Sequence, residues 1–328
     1  MKRIVFAALL LAAATLITPR ERDGFSVMFW NLENYFDWHN DSTSVSDAEF
    51  SSRGERHWTR RRFNAKSNAI TKGILWVAAQ NGALPDAIGF AEVENAFALR
   101  KLIGNTALQK LDYEIVHYDS PDRRGIDVAL LYRRSTLTLT GSKPCHLYAD
   151  STHSILPTRD ILLATFTDGE GRPLAILVNH HPSKYGGAAE SATRRRTAVS
   201  ALKNLADSLS GGGYSRIVAI GDFNDTPENP VFDLLSPTLE NLSLPLFGQG
   251  LGTIKYDGRW EMIDLCFVSG SIAAISALNV FYVPFLMTPD RSHGGFKPFR
   301  TYSGPRYLGG VSDHCPILLQ CEQGSEEK

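Results

Sequence analysis

Ile217-Val218-Ala219-Ile220-Gly221-Asp222-Phe223-Asn224-Asp225-Thr226-Pro227 is the stretch that decides how this chain folds. Its first four residues are apolar and mostly β-branched, so they favour an extended backbone, and a short unbroken apolar run bounded by turn residues reads as a strand buried on both faces. The strand runs straight into two carboxylates and an amide. Gly221 permits a tight turn there, which would let Asp222 and Asn224 both face the mouth of a sheet. The same residues also begin an ordinary Asx turn, and the stretch alone leaves both readings open.

Other apolar runs end in the same way. Residues 25–31 alternate, with Phe25, Val27 and Phe29 on one side and Met28 and Trp30 on the other, and close on Asn31 and Glu33. Residues 87–92 form a short buried strand ending in Glu92, with Glu94 beyond it. Runs 161–166 and 174–179 are joined by the turn Asp168-Gly169-Glu170-Gly171, and the second leads into Asn179-His180-His181. Runs 263–268 and 317–319 complete the set, with Asp313-His314 just ahead of the last. Helical patterns lie between them: 69–80 is the later part of a helix with Phe63, Ile70, Ile74, Val77 and Ala78 on one face and Gly82 as cap, and a second runs about 188–209, stopped by Gly211, Gly212 and Gly213. Strand and helix periodicities alternate without an internal repeat, which predicts an α/β (α+β) sandwich. Loops at strand ends carry ligands, so five polar clusters at strand ends point to one shared site.

The residue types specify the chemistry. Neighbours in a strand face opposite sides, so Asp313 is not expected to hold His314, and the imidazole needs another carboxylate. Asp264 interrupts the apolar run 263–268, where a lone carboxylate is costly unless paired, and it is the expected partner. Asn31 and Glu92 would supply two oxygen ligands, and oxygen donors suit Mg²⁺ or Mn²⁺ better than zinc. Of the adjacent His180 and His181, one is expected in the site and the other at the surface.

The segments Phe29-Trp30-Asn31-Leu32-Glu33-Asn34, Ala91-Glu92-Val93-Glu94-Asn95, Arg124-Gly125-Ile126-Asp127-Val128-Ala129, Asn179-His180-His181-Pro182-Ser183, Gly221-Asp222-Phe223-Asn224-Asp225, Ile263-Asp264 and Ser312-Asp313-His314 together resemble the ordered motifs of the endonuclease/exonuclease/phosphatase superfamily. The resemblance runs from about residue 25 to 319. It implies a four-layer sandwich of two packed mixed β-sheets flanked by helices, and Mg²⁺-dependent hydrolysis of a phosphoester by in-line attack of water. It implies that Asn31, Glu92 and Asp313 serve the metal, and that Asp222 orients or deprotonates the water. Asn224 would fix Asp222 or a phosphate oxygen, His314 held by Asp264 would bind the phosphate, and His180 would contact a phosphate oxygen or the leaving group. Glu33, Arg124 and Asp127 would support these residues from around the site.

Length and charge limit the substrate. Among the 328 residues, Lys2 and Arg3 precede an apolar run from residue 4 to 17, too short to span a bilayer and the size of an export signal. The expected division is a signal peptide over 1–22 and a catalytic domain over 23–328, exported to the periplasm or the cell exterior, with no transmembrane anchor and a monomer favoured. The chain has 34 Lys+Arg and 35 Asp+Glu; without Lys2, Arg3, Arg20, Glu21 and Arg22 it keeps 30 and 34, a net charge of −4, so it is not a globally basic nucleic-acid binder. Basic clusters at Arg53, Arg56, Arg60, Arg61, Arg62 and Lys66 and at Arg194, Arg195 and Arg196 fit either a phosphate backbone or a solvated helix face. The leading expectation is a nuclease. Alternatives are a phosphatase or phosphodiesterase for a lipid or inositol phosphate, for which residues 281–286 are the one candidate exposed aromatic hairpin, and a silent binding module of the same fold. Cys145, Cys266, Cys315 and Cys321 lack metal-type spacing and are expected as buried thiols rather than disulfides.

Overall fold

The computed structural model describes residues 24–41, 44–149, 154–184 and 188–322; the expected leader lies outside them. Twelve strands build two sheets: β1 (Gly24–Tyr35), β2 (Ala87–Val93), β3 (Tyr113–His117), β4 (Asp127–Arg133), β5 (Leu137–Cys145), β6 (Ile161–Asp168), β7 (Pro173–His180), β8 (Ile217–Asp222), β9 (Leu239–Asn241), β10 (Asp264–Ser269), β11 (Ser276–Val280) and β12 (Ile317–Glu322). One sheet has the order β11-β12-β1-β2-β4-β3, the other β5-β6-β7-β8-β10-β9. Each is mixed, because β1 pairs parallel with β2 and β7 parallel with β8 while their other neighbours are antiparallel.

Strand alternation explains the layers. Val27 and Phe29 of β1, Val178 of β7, Ile220 of β8 and Ile317 of β12 fill the space between the sheets. Met28 and Trp30 point the other way, against Phe63, Ile70 and Ile74 of helix α1 (Arg60–Asn81) and Leu99 of α2 (Ala96–Gly104). On the far side Leu177, Ala219 and Leu265 pack against Val199 and Leu202 of α3 (Ala188–Gly211). The result is helix, sheet, sheet, helix, the four layers expected. Each fully buried large apolar side chain contributes roughly 1.5–3 kcal/mol, so the three interleaved cores hold the strand ends rigidly in register.

Register brings the site together. Asp222 is opposite Asp264 across β8 and β10 and beside His180 across β7 and β8, so three chemically active residues lie abreast on neighbouring strands. Gly221 sits inside β8 rather than at a turn. It faces Asn179, and a Cβ on it would come within 2.1 Å of the Asn179 carbonyl oxygen, so the close approach of β7 and β8 requires glycine there.

Several expectations change. The stretch through Asp313 and His314 is a loop, touching Ile254 through one isolated bridge. His181 is buried as deeply as His180, with its ring 4.5 Å from that of Phe223. In the first basic cluster, Arg56 is paired with Glu49, Arg62 lies over Tyr307, and Lys66 is only 2% exposed. Arg195 is likewise buried on Asp225. Residues 281–286 are no exposed hairpin: Val283 and Leu286 are buried, Phe281 packs on Trp76, and Phe285 is the one exposed aromatic of the run. The four cysteines are free thiols.

Candidate active site

At the carboxyl ends of β1, β2 and β8 the chain enters left-handed backbone at Glu33, Asn34, Glu92 and Asn224, with φ of 48°, 56°, 61° and 53°. Asparagine tolerates this region, whereas glutamate is disfavoured there, and such strain clusters at functional sites. Hydrogen bonds hold it. The Asn34 N–H donates to Glu92 Oε2 at 2.8 Å, and the Glu33 carboxylate accepts from Arg300 Nε at 2.9 Å and the Thr301 N–H at 2.8 Å. The Asn224 N–H donates to Asp222 Oδ1 at 2.9 Å.

Asp222 is the hub. Its Oδ2 accepts from Asn31 Nδ2 at 3.0 Å and lies 3.6 Å from His180 Nε2 and 3.9 Å from His314 Nε2. Burial pushes its carboxyl up to about 7, and the neighbouring Asp264 adds to that against the pull of His314. His314 Nδ1 donates to Asp264 Oδ2 at 2.8 Å, the pairing expected from the cost of a lone buried carboxylate. Burial opposes charge on His314, but Asp264, Asp222 and Asp313 together hold it protonated well above the usual histidine range. His180 behaves oppositely: burial and then Arg159, Arg124 and His314 keep it neutral, and its Nδ1 has no hydrogen-bond partner.

The loop carrying His314 is fastened from two sides. Trp30 Nε1 donates to the His314 carbonyl at 2.9 Å, and Ser312 Oγ donates to the Asn31 carbonyl at 2.6 Å. The hairpin formed by Ile254–Tyr256 and Arg259–Glu261 closes the other side, where the Thr253 carbonyl takes the Cys315 N–H at 2.7 Å and Thr253 Oγ1 takes the Asp264 N–H at 3.2 Å. The stretch 252–260 is therefore a two-stranded clamp on the His314–Asp264 pair.

Not every expected residue meets the hub. Asp313 lies 3.8 Å from His314 Nε2 and is paired with Arg300 at 2.9 Å. Asn224 turns its side chain to the His181 carbonyl, at 2.9 Å, and supports Asp222 only through its backbone. Asp127 is remote, bonded to His117 Nε2 at 3.1 Å and to the Ser120 N–H at 2.8 Å, where it anchors the loop that carries Asp122 and Arg124. Lys66 and Arg159 lie outside the motifs at the strand ends, yet both are buried here. Lys66 Nζ donates to the Glu33 carbonyl at 2.6 Å and Thr301 Oγ1 at 2.8 Å; burial lowers it to about 8 against the pull of Glu33, Glu92 and Asp313. Its signal was its position between Phe63 and Ile70 on the apolar face of α1. Arg159 stands two residues before β6, which runs antiparallel to β7, so it lies at the same edge as the carboxyl end of β7.

The donors fit a hard divalent cation. Asp222, Asp264 and His314 offer ligand atoms within 4.8 Å of one another, and Asp264 Oδ1 is buried without a hydrogen-bond partner. An imidazolium is no ligand, however, so oxygen donors must do most of the holding. Asn31 and Glu92 stand on the adjacent ends of β1 and β2, and each has lone pairs left after the bonds described: Asn31 Oδ1 takes the Glu33 N–H and Glu92 Oε2 that of Asn34.

Residues 26–323 match the model of the Endonuclease/Exonuclease/phosphatase family. The chain belongs to this family. It is accordingly a phosphoester hydrolase, from a family that depends on a divalent metal. No curated protein matches the chain. Solved structures with the same fold include the catalytic domain of human Nocturnin (19% identity, TM-score 0.56, 92% of this chain and 95% of that one). A truncated TDP2 from Caenorhabditis elegans is similar too (15%, 0.57, 91% and 97%), as is a mannosyl-6-phosphatase from Bacteroides thetaiotaomicron (14%, 0.54, 90% and 99%). At these identities the likeness is one of fold, and the family membership gives the motifs at the strand ends their meaning.

Proposed function

We propose that this member of the family is an exported Mg²⁺-dependent phosphoesterase in which Asp222 activates the attacking water and protonated His314 binds the phosphate. The observation carrying the reading is the oriented Asp222 carboxylate between an imidazolium and a neutral imidazole, at 3.9 and 3.6 Å. Asn31 and Glu92 would hold the cation, with Asp313 as a further oxygen donor. When bound, it would supply positive charge beside the phosphate oxygens. Asp222, fixed by Asn31 and the Asn224 N–H, takes the proton from water as its oxygen forms the new bond to phosphorus and the bond to the leaving oxygen breaks on the opposite side. His314 offers Nε2–H to a phosphate oxygen, and Asp264, bonded to Nδ1, keeps the ring charged and aimed. His180 presents a neutral ring on the other side of Asp222.

Nucleic acid is the leading substrate class, because Arg53, Arg60, Arg61 and Arg196 are exposed and can meet a phosphate backbone. A second reading, a small phosphorylated molecule, is favoured by the inward commitment of Arg56, Arg62, Lys66 and Arg195 and by the name of the mannosyl-6-phosphatase neighbour. The deciding experiment is a panel of plasmid DNA, RNA, sphingomyelin, inositol phosphates, sugar phosphates and a chromogenic diester with Mg²⁺, each repeated in chelator. Turnover that disappears in chelator and returns with Mg²⁺ is expected; full turnover in chelator would overturn the metal assignment.

A further inference from the structure

Beside His180 and His181 a cleft of about 340 Å³ opens between the loop that carries Asp122, the start of β6 and the first turns of α3. That is at the small end of ligand pockets, roughly 300–1,000 Å³, with room for one anionic group on a short spacer. Asp122, Thr158, Arg159, Ser183 and Arg194 line it.

The wall is built for charge. Arg159 is 5% exposed; its guanidinium donates to Asp122 Oδ2 at 3.1 Å and to the His181 carbonyl at 2.6 Å, while its Nε is buried without a partner. Asp122 is shared, because its Oδ1 takes the Arg124 N–H at 2.9 Å and lies 3.6 Å from Arg124 Nε. One carboxylate thus serves two guanidinium groups; the charge of Glu92 also reaches Arg159, and with Arg194 the lining still carries more positive than negative side chains. Thr158 Oγ1 is a second buried polar atom without a partner. Buried polar groups are almost always satisfied, and a buried cation without full compensation is costly. Two such exceptions on one cleft wall call for a polar, anionic occupant.

This positive wall is separate from the cation at the reaction centre. His314 stands across Asp222, whereas Arg159 acts on the centre through the main chain of His181 and through its charge on His180, and Ser183 belongs to the wall two residues further on. Building on the phosphoesterase reading, we propose that the cleft is a second anion subsite, which takes a phosphate or carboxylate carried by the substrate beyond the ester that is cleaved. A neighbouring phosphate of a nucleic-acid strand and the second phosphate of a small bisphosphate both have this chemistry.

The test compares substrates that differ only in that group: a thymidine dinucleotide with and without a 5′-phosphate, and a sugar bisphosphate with its monophosphate, all with Mg²⁺. The enzyme is expected to prefer the more anionic member of at least one pair by about tenfold or more in kcat/KM, the effect of one charge-assisted hydrogen bond. Arg194→Ala should collapse that ratio through KM, Arg194→Glu should collapse it further, and Arg194→Lys should restore most of it. The dinucleotide arm identifies a strand as the source and the sugar arm a small molecule. Hydrolysis with no preference in either pair overturns the subsite alone, as does a preference untouched by Arg194→Ala and Arg194→Glu. Failure to hydrolyse any member overturns the subsite, and absence of turnover on the whole phosphoester panel as well overturns the phosphoesterase reading.

Discussion

His180 is buried and the side chain of His314 is 9% exposed, and both turn Nε2 toward Asp222, yet the fold holds one neutral and the other charged. The surroundings make the difference. His314 donates to Asp264 and has Asp222 and Asp313 nearby, whereas His180 has Arg159 and Arg124 on its far side and no partner for Nδ1. Desolvation lowers both, and only the ring with a directly bonded carboxylate overcomes it. A single carboxylate between an imidazolium and an imidazole is thereby flanked by one group that stabilises negative charge and one that can exchange a proton.

Removing the shared carboxylate should break this comparison most completely. Asp222→Asn is expected to keep the fold and lower turnover on an activated phosphodiester by about 10²-fold or more, the range for loss of a general base. A variant with the wild-type rate and thermal midpoint would remove Asp222 from the reaction. Asp264→Asn addresses one histidine alone: the hydrogen bond can persist, but the charge that raises His314 is gone. Because His314 acts as a cation, activity is present below its folded pKa and lost as pH rises through it. The alkaline limb of the kcat/KM profile should therefore move to lower pH, with about a tenfold loss or more near pH 8. An unmoved limb would show that the charge of His314 does not limit the rate.

The smallest effect sharpens the comparison away from the centre. Burial pushes Glu94 up to about 9, with Asp37 and Asp47 adding to it, although its Oε2 accepts the Asp37 N–H at 2.7 Å. A carboxyl raised above its unfolded value of 4.5 stabilises the fold below that pH and loses this contribution as pH rises toward 9. Glu94→Gln should remove that slope and melt about 2–4 °C above the wild type at alkaline pH, the shift expected for roughly 1 kcal/mol. Identical pH dependence of the two melting points would rule out a buried proton on Glu94.

The strands and their polar ends were legible because alternation and β-branching are local: 87–92, 161–166 and 217–220 all lie within observed strands. The pairing of His314 with Asp264 was legible from cost alone, even though the segment around His314 is a loop and the argument about opposite strand faces does not apply to it. Burial of cations was barely legible: Lys66 falls between Phe63 and Ile70 on the apolar face of α1, and nothing marks Arg195. Lys66 and Arg195 sit in runs that read equally well as solvated helix faces, and their depth depends on partners as distant in sequence as Thr301 for Lys66 and Asp225 for Arg195.

The sequence by itself determined which segments extend, which coil, and that carboxylates, amides and imidazoles gather where apolar runs stop, since each of these follows from side-chain shape and from the penalty of hiding polar groups. Only the tertiary structure decided which imidazole carries a proton and which arginine faces a cleft. Those properties come from fields and desolvation summed over several strands and loops, and no stretch of chain contains them.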